Sequence, residues 1–99
     1  MRVYKIETNL TSEKNNDLLK NISEEDSLIL RSLDISVLVD LLDENDNLTT
    51  VMVIDILNLE KLKEYFNRVG VQYDIEDISD EFEDISNINK DIILNKFGL

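Results

Sequence analysis

The chain of 99 residues has no cysteine and no histidine. Without cysteine there is no disulfide framework, which argues against a small secreted scaffold and makes the cytoplasm the expected compartment. Without either residue, thiolate and imidazole ligands are missing, which argues against structural zinc, haem and iron–sulfur clusters. No cofactor is expected. No window approaches the ~20 apolar residues that cross a bilayer, and the amino-terminal MRVYKIETNL lacks the apolar run of a signal peptide. There is no proline-rich linker and no internal repeat, so residues 1–99 read as a single domain large enough for one modest core. Basic residues are scarce as well: 10 against 22 acidic ones, for a net charge of −12. That field repels phosphate backbones and anionic membrane surfaces, which disfavours direct binding to nucleic acid or membrane.

What is present centres on Leu33–Asn58, two β-branched, apolar runs around the polar Glu44-Asn45-Asp46-Asn47. Leu33, Ile35, Val37, Val39 and Leu41 alternate along one run, and Thr50, Met52, Ile54 and Ile56 along the other. Setting Leu41 opposite Thr50 and Val39 opposite Met52 predicts a hairpin with a four-residue loop. A slip of one residue would turn one apolar set away from the other.

Before the hairpin, residues 2–8 read as a strand with Tyr4 and Ile6 inward. Thr11 or Ser12 can cap a helix carrying Leu18, Leu19 and Ile22. Ser23-Glu24-Glu25-Asp26 has spacing close to a capping box, which either restarts the helix or closes it with a polar turn. After the hairpin, Asn58 is the expected cap of a helix over Leu59–Val69 that buries Leu59, Leu62, Phe66 and Val69 and stops at Gly70. Val71, Tyr73 and Ile75 then alternate as a strand. Phe82, Ile85, Ile88, Ile92, Ile93 and Phe97 suit a final helix interrupted near Asn87–Asn89. This order predicts an α+β fold of the ferredoxin-like βαββαβ type: an antiparallel sheet with helices on one face, plus a C-terminal helix.

Candidate chemistry is sparse. Asp43, Asn45 and Asn47 imitate the start of a calcium loop, but Leu48 stands where glycine is needed and Ile54 where a bidentate glutamate is needed. The stretch therefore reads as a hairpin turn, and no metal site is expected. Lacking histidine, a glycine-rich phosphate loop and a nucleophile motif, the chain is not expected to be an enzyme. The sheet face away from the helices should carry Val3, Lys5, Glu7, Leu38, Asp40, Val51, Val53, Asp55, Asp74 and Glu76, without the aromatics that single-stranded RNA would need.

The densest signal is Asp74, Glu76, Asp77, Asp80, Glu81, Glu83 and Asp84, seven carboxylates within eleven residues. It reads as a hydrated strand end and helix start, or as an acidic ridge that docks on a basic groove. The second reading predicts a non-enzymatic protein-binding module of the inhibitor, immunity-protein, antitoxin or nucleic-acid-mimic type. Its partner would be a basic protein surface, nucleic-acid-binding proteins included, with Asp40 and Asp55 contributing from the neighbouring sheet face. The alternative is a structural or regulatory subunit that associates, as a homodimer for example, through a strand edge or an apolar island of Leu38, Val51 and Val53 on the open face. The C-terminal helix is the rival cover for that island.

Overall fold

The computed structural model describes residues 1–97. Its elements run β1 (Arg2–Thr11), α1 (Ser12–Lys20), α2 (Glu24–Arg31), β2 (Ile35–Leu42), β3 (Asn47–Ile54), α3 (Ile56–Val69), β4 (Tyr73–Asp77), two short 3-10 turns (Ser79–Glu81 and Ile85–Asn87) and α4 (Lys90–Lys96). The fold is α+β: a four-stranded antiparallel sheet in the order β2-β3-β1-β4, with four α-helices. The first and third strands are central, and β2 and β4 are edges. No helix among the described residues is long and apolar enough to cross a membrane.

Local chemistry sets the helix ends. The Thr11 hydroxyl accepts the Lys14 N–H to start α1, and the Ser23 hydroxyl accepts the Asp26 N–H to start α2. Ser23 thus restarts a helix, with Glu24, Glu25 and Asp26 in a first turn where negative charge suits the dipole. The cap of α3 is Asp55, not the expected Asn58: the Asp55 carboxylate accepts the Asn58 N–H at 2.8 Å, and the helix begins three residues earlier than expected, at Ile56. Asn58 is instead buried, and its side-chain oxygen accepts the Asp34 N–H at 3.1 Å, tying α3 to the start of β2. Gly70 ends α3 in the left-handed region at φ 75°, where a side chain would meet its own backbone.

The hairpin forms between the expected strands in a different register. Leu42 lies opposite Leu48, Leu41 opposite Thr49, Asp40 opposite Thr50, and Leu38 opposite Met52. Asp43 donates its N–H to Asn47 O at 2.9 Å, which leaves a three-residue connection, Glu44–Asp46, with Asp46 at φ 60°. The Asp43 carboxylate stabilises this tight turn by accepting the N–H groups of Asn45 and Asn47. One residue fewer in the loop moves every β2 side chain relative to β3. A second irregularity, between Ile35 and Val37, switches faces again at the start of β2.

Both sheet faces are buried, which is why burial alone did not select the register. One face packs Tyr4, Ile6, Met52 and Ile54 against Leu59, Leu62 and Tyr65 of α3, with Ile29 and Leu30 of α2 beside them. The other packs Val3, Val39, Val51 and Val53 against Ile78 and Ile93, with Phe82, Ile85, Ile88 and Phe97 around them. The C-terminal segment therefore folds back over the second face. It does so as two 3-10 turns and one short helix rather than the single interrupted helix expected from Phe82 onward. The apolar island expected of Leu38, Val51 and Val53 does not form: Val51 and Val53 lie under Ile93, and the register puts Leu38 on the α3 side.

Candidate functional site

The acidic residues 74–84 divide by the work they do. Strand β4 is an edge, and its alternation sends Asp74 and Glu76 to the α4 side of the sheet. Glu7 of β1 lies opposite Asp74, and Lys5 lies opposite Glu76. Lys5 is the local cation: its Nζ is 3.2 Å from Glu7 and 3.9 Å from Glu76. Asp74 has no ion-pair partner among the described residues. Glu7, Asp74 and Glu76 thus present three exposed carboxylates over one lysine at the sheet edge.

Farther on, Glu81, Glu83 and Asp84 line a cleft of about 460 Å³ with Phe82, Ile88 and Ile92. Glu81 lies 3.9 Å from Lys96, a pair exposed enough to exchange freely with an incoming cation. Asp80 is exposed on the preceding 3-10 turn. Glu83 is exposed as well.

Two members serve the fold. The Asp77 carboxylate accepts the Ser79 hydroxyl at 2.6 Å, the Ser79 N–H at 3.0 Å and the Arg2 guanidinium at 2.9 Å. These donors, the Ser79 hydroxyl first, hold its pKa down at about 2. Ser79 is itself buried, and its oxygen accepts the Val3 N–H at 2.9 Å, so the knot joins the end of β4 to the start of β1. Asp84 likewise accepts the Ser86 hydroxyl and N–H and the Asn87 amide, bonds that lower its pKa and shape the second 3-10 turn.

Asp40 and Asp55 do not join this surface. The hairpin register places Asp40 on the opposite sheet face, where it accepts the Thr50 hydroxyl at 2.8 Å. It also sits on β2, three strand spacings or about 14 Å from β4. Asp55 is consumed as the cap of α3, and the Asn58 N–H lowers its pKa. Conversely, Glu7 belongs to the acidic edge although sequence proximity does not place it there. Its signal was the outward phase of the β1 alternation, which became informative only once β4 was known to pair with β1.

Chemically, the edge offers acceptors and negative charge but no converging acid, base and nucleophile. Among the described residues no group of three or more ligating side chains could hold a metal ion. Compared with known protein families, with curated proteins and with solved structures, the chain has no match.

Proposed function

We propose that this chain is a non-enzymatic, cytoplasmic binding module that docks its acidic edge on a basic surface of a partner protein, in the manner of inhibitors or nucleic-acid mimics. The observation that carries the reading is the grouping of Glu7, Asp74 and Glu76 on one exposed sheet edge with only Lys5 among them. Asp80, Glu81 and Glu83 extend that field beyond the strand end. A ferredoxin-like reading of the framework is supported by the central places of β1 and β3 and by the packing of α2 and α3 against one face. The added C-terminal segment covers the other face, which leaves edges and their charged borders as the surfaces for a partner. Such a field speeds encounter with a cationic surface and weakens as salt rises.

The test is capture from a cell extract at low salt with the wild type and with a variant carrying Asp74→Lys, Glu76→Lys and Glu81→Lys. Asp77 and Asp84 are left intact because they support the fold. A cation-rich protein retained by the wild type, released by salt and lost by the variant supports the reading. The same protein retained by the variant with unchanged salt dependence refutes it.

A second reading rests on β2, an edge strand without lysine or proline to guard it and with Leu38 and Leu42 exposed. It makes the chain a structural or regulatory subunit that adds a strand there, a homodimer included. That association would tolerate salt and fail on Leu38→Asp, which gel filtration at two ionic strengths distinguishes from the first reading.

A further inference from the structure

Strand β2 has a free backbone edge beside an apolar cavity, and the two share residues. The bond from the Asp43 N–H to Asn47 O turns the backbone of Asp43 towards β3. Backbone groups alternate in direction along an antiparallel strand, and the β2–β3 ladder is regular from Val37 to Leu42. The N–H and C=O groups of Val37, Val39 and Leu41 therefore face β3, and those of Leu38, Asp40 and Leu42 face outward. Among the described residues no hydrogen bond reaches this outward set. The opposite edge, β4, is five residues long and carries Asp74, Glu76 and Asp77, the short and charged form that discourages pairing. Strand β2 is eight residues long, and Asp40 is its one charge. The side chains of its outward residues lie on the α3 side of the sheet, where a cavity of about 240 Å³ reaches in to Met52 and Leu62. Of the residues lining that cavity, Leu19 of α1 and Leu38 and Asp40 of β2 are exposed, so its mouth opens along β2.

We infer that the β2 edge binds an extended segment of a partner protein, antiparallel to β2, in which an apolar side chain enters this cavity and a lysine or arginine two residues away pairs with Asp40. The row of unpaired backbone groups calls for a strand as the occupant, because a strand matches their spacing and a small molecule does not. Alternation puts every second side chain of that strand on the cavity side. The one opposite Leu38 meets apolar walls, and the one opposite Asp40 meets a carboxylate. Charge favours the basic residue and disfavours a second copy of this chain, which brings its own net charge of −12 and, on β2, only another Asp40. This binding mode deepens the strand-addition reading of β2 and rests on it; no carboxylate of the β4 edge takes part.

The experiment is an amide NMR titration of the full chain with the capped peptide acetyl-Lys-Leu-Thr-Lys-Thr-Leu-Lys-amide. Saturable shifts and slowed hydrogen exchange are expected at the amides of Leu38, Asp40 and Leu42, with those of β4 unchanged. Methylating the two leucine nitrogens of the peptide, which would face β2, should weaken binding about tenfold, the worth of two ordinary hydrogen bonds. Methylating the two threonine nitrogens, which would face away, should leave it nearly unchanged. Asp40→Lys, a change at an exposed position, should weaken this peptide about threefold and strengthen one with glutamate as its central residue by as much. Linear, non-saturating shifts, or equal affinities for the two methylated peptides, overturn the proposal. Amides of Leu38, Asp40 and Leu42 that already exchange slowly in the free protein, with a dimer on gel filtration, give the edge to a second copy; that result overturns the peptide partner and leaves the strand-addition reading standing.

Discussion

Replacing Ser79 by alanine should destabilise the fold by about 2 kcal/mol, the cost of stranding a buried donor. The donor is the backbone N–H of Val3, a residue with no exposed surface, which gives its hydrogen to Ser79 Oγ at 2.9 Å. The same change removes the shortest of the bonds that hold Asp77 ionised. Asp77 adds a pH signature. Its carboxyl falls from an ordinary 3.8 to about 2 in the folded state. A depressed carboxyl contributes stability that is fully present above its unfolded value, near pH 3.8, and that is lost as pH falls towards 2. The full shift would correspond to about 2.4 kcal/mol. With 38% of the side chain exposed, solvent screening reduces this to about 1 kcal/mol. Urea unfolding followed by circular dichroism at several pH values between 7 and 2 measures both parts. The difference between wild type and Ser79→Ala should be largest at pH 7 and should shrink between pH 4 and 2, as the wild type loses the one hydroxyl bond to Asp77 that the variant lacks. Comparing two chains cancels the general relief of repulsion that a protein of net charge −12 experiences on acidification. A difference below about 0.5 kcal/mol at pH 7, the range of ordinary surface changes, would refute the reasoning. So would a difference that stays constant down to pH 2.

Three further outcomes follow from the same contacts. Ile93→Ala, at a residue with no exposed surface over the second sheet face, should cost about 2–5 kcal/mol in urea unfolding; a negligible cost would mean that α4 does not cover the sheet. Gly70→Ala should cost about 1 kcal/mol through its left-handed backbone alone, because a Cβ there meets nothing within 4 Å. Gly70→Asn should recover part of that loss in the same thermal melt. Asp55→Ala should lower the urea midpoint, whereas Asp55→Ser, which keeps a capping oxygen, should come close to wild type; equal loss from both would deny Asp55 its capping role.

Much of the framework was legible because short-range chemistry decides it. Thr11, Ser23 and Gly70 mark helix ends through bonds to residues three or four positions away, and the β1 alternation correctly turns Tyr4 and Ile6 towards α3. Asn58 misled because two capping residues stand three apart in sequence, and either could open the helix. The choice went to Asp55 once Asn58 was drawn inside to hold the Asp34 N–H. The hairpin register misled for a different reason. Alternation selects a register only when one face of a strand is wet, and here Val39 is buried on one side of the sheet while Met52 is buried on the other.

The sequence by itself determined the types of β1, β2, β3, β4, α1 and α3, the antiparallel hairpin and the acid surplus of residues 74–84, since each depends on neighbours within a few positions or on simple composition. Only the tertiary structure decided which carboxylates are free. Pairing β4 with β1 brought Glu7 beside Asp74 and Arg2 beside Asp77, and folding α4 back over Val51 and Val53 closed the face that local pattern leaves open. Those contacts join residues about seventy positions apart in one case and about forty in the other, distances over which periodicity carries no information and only packing can choose.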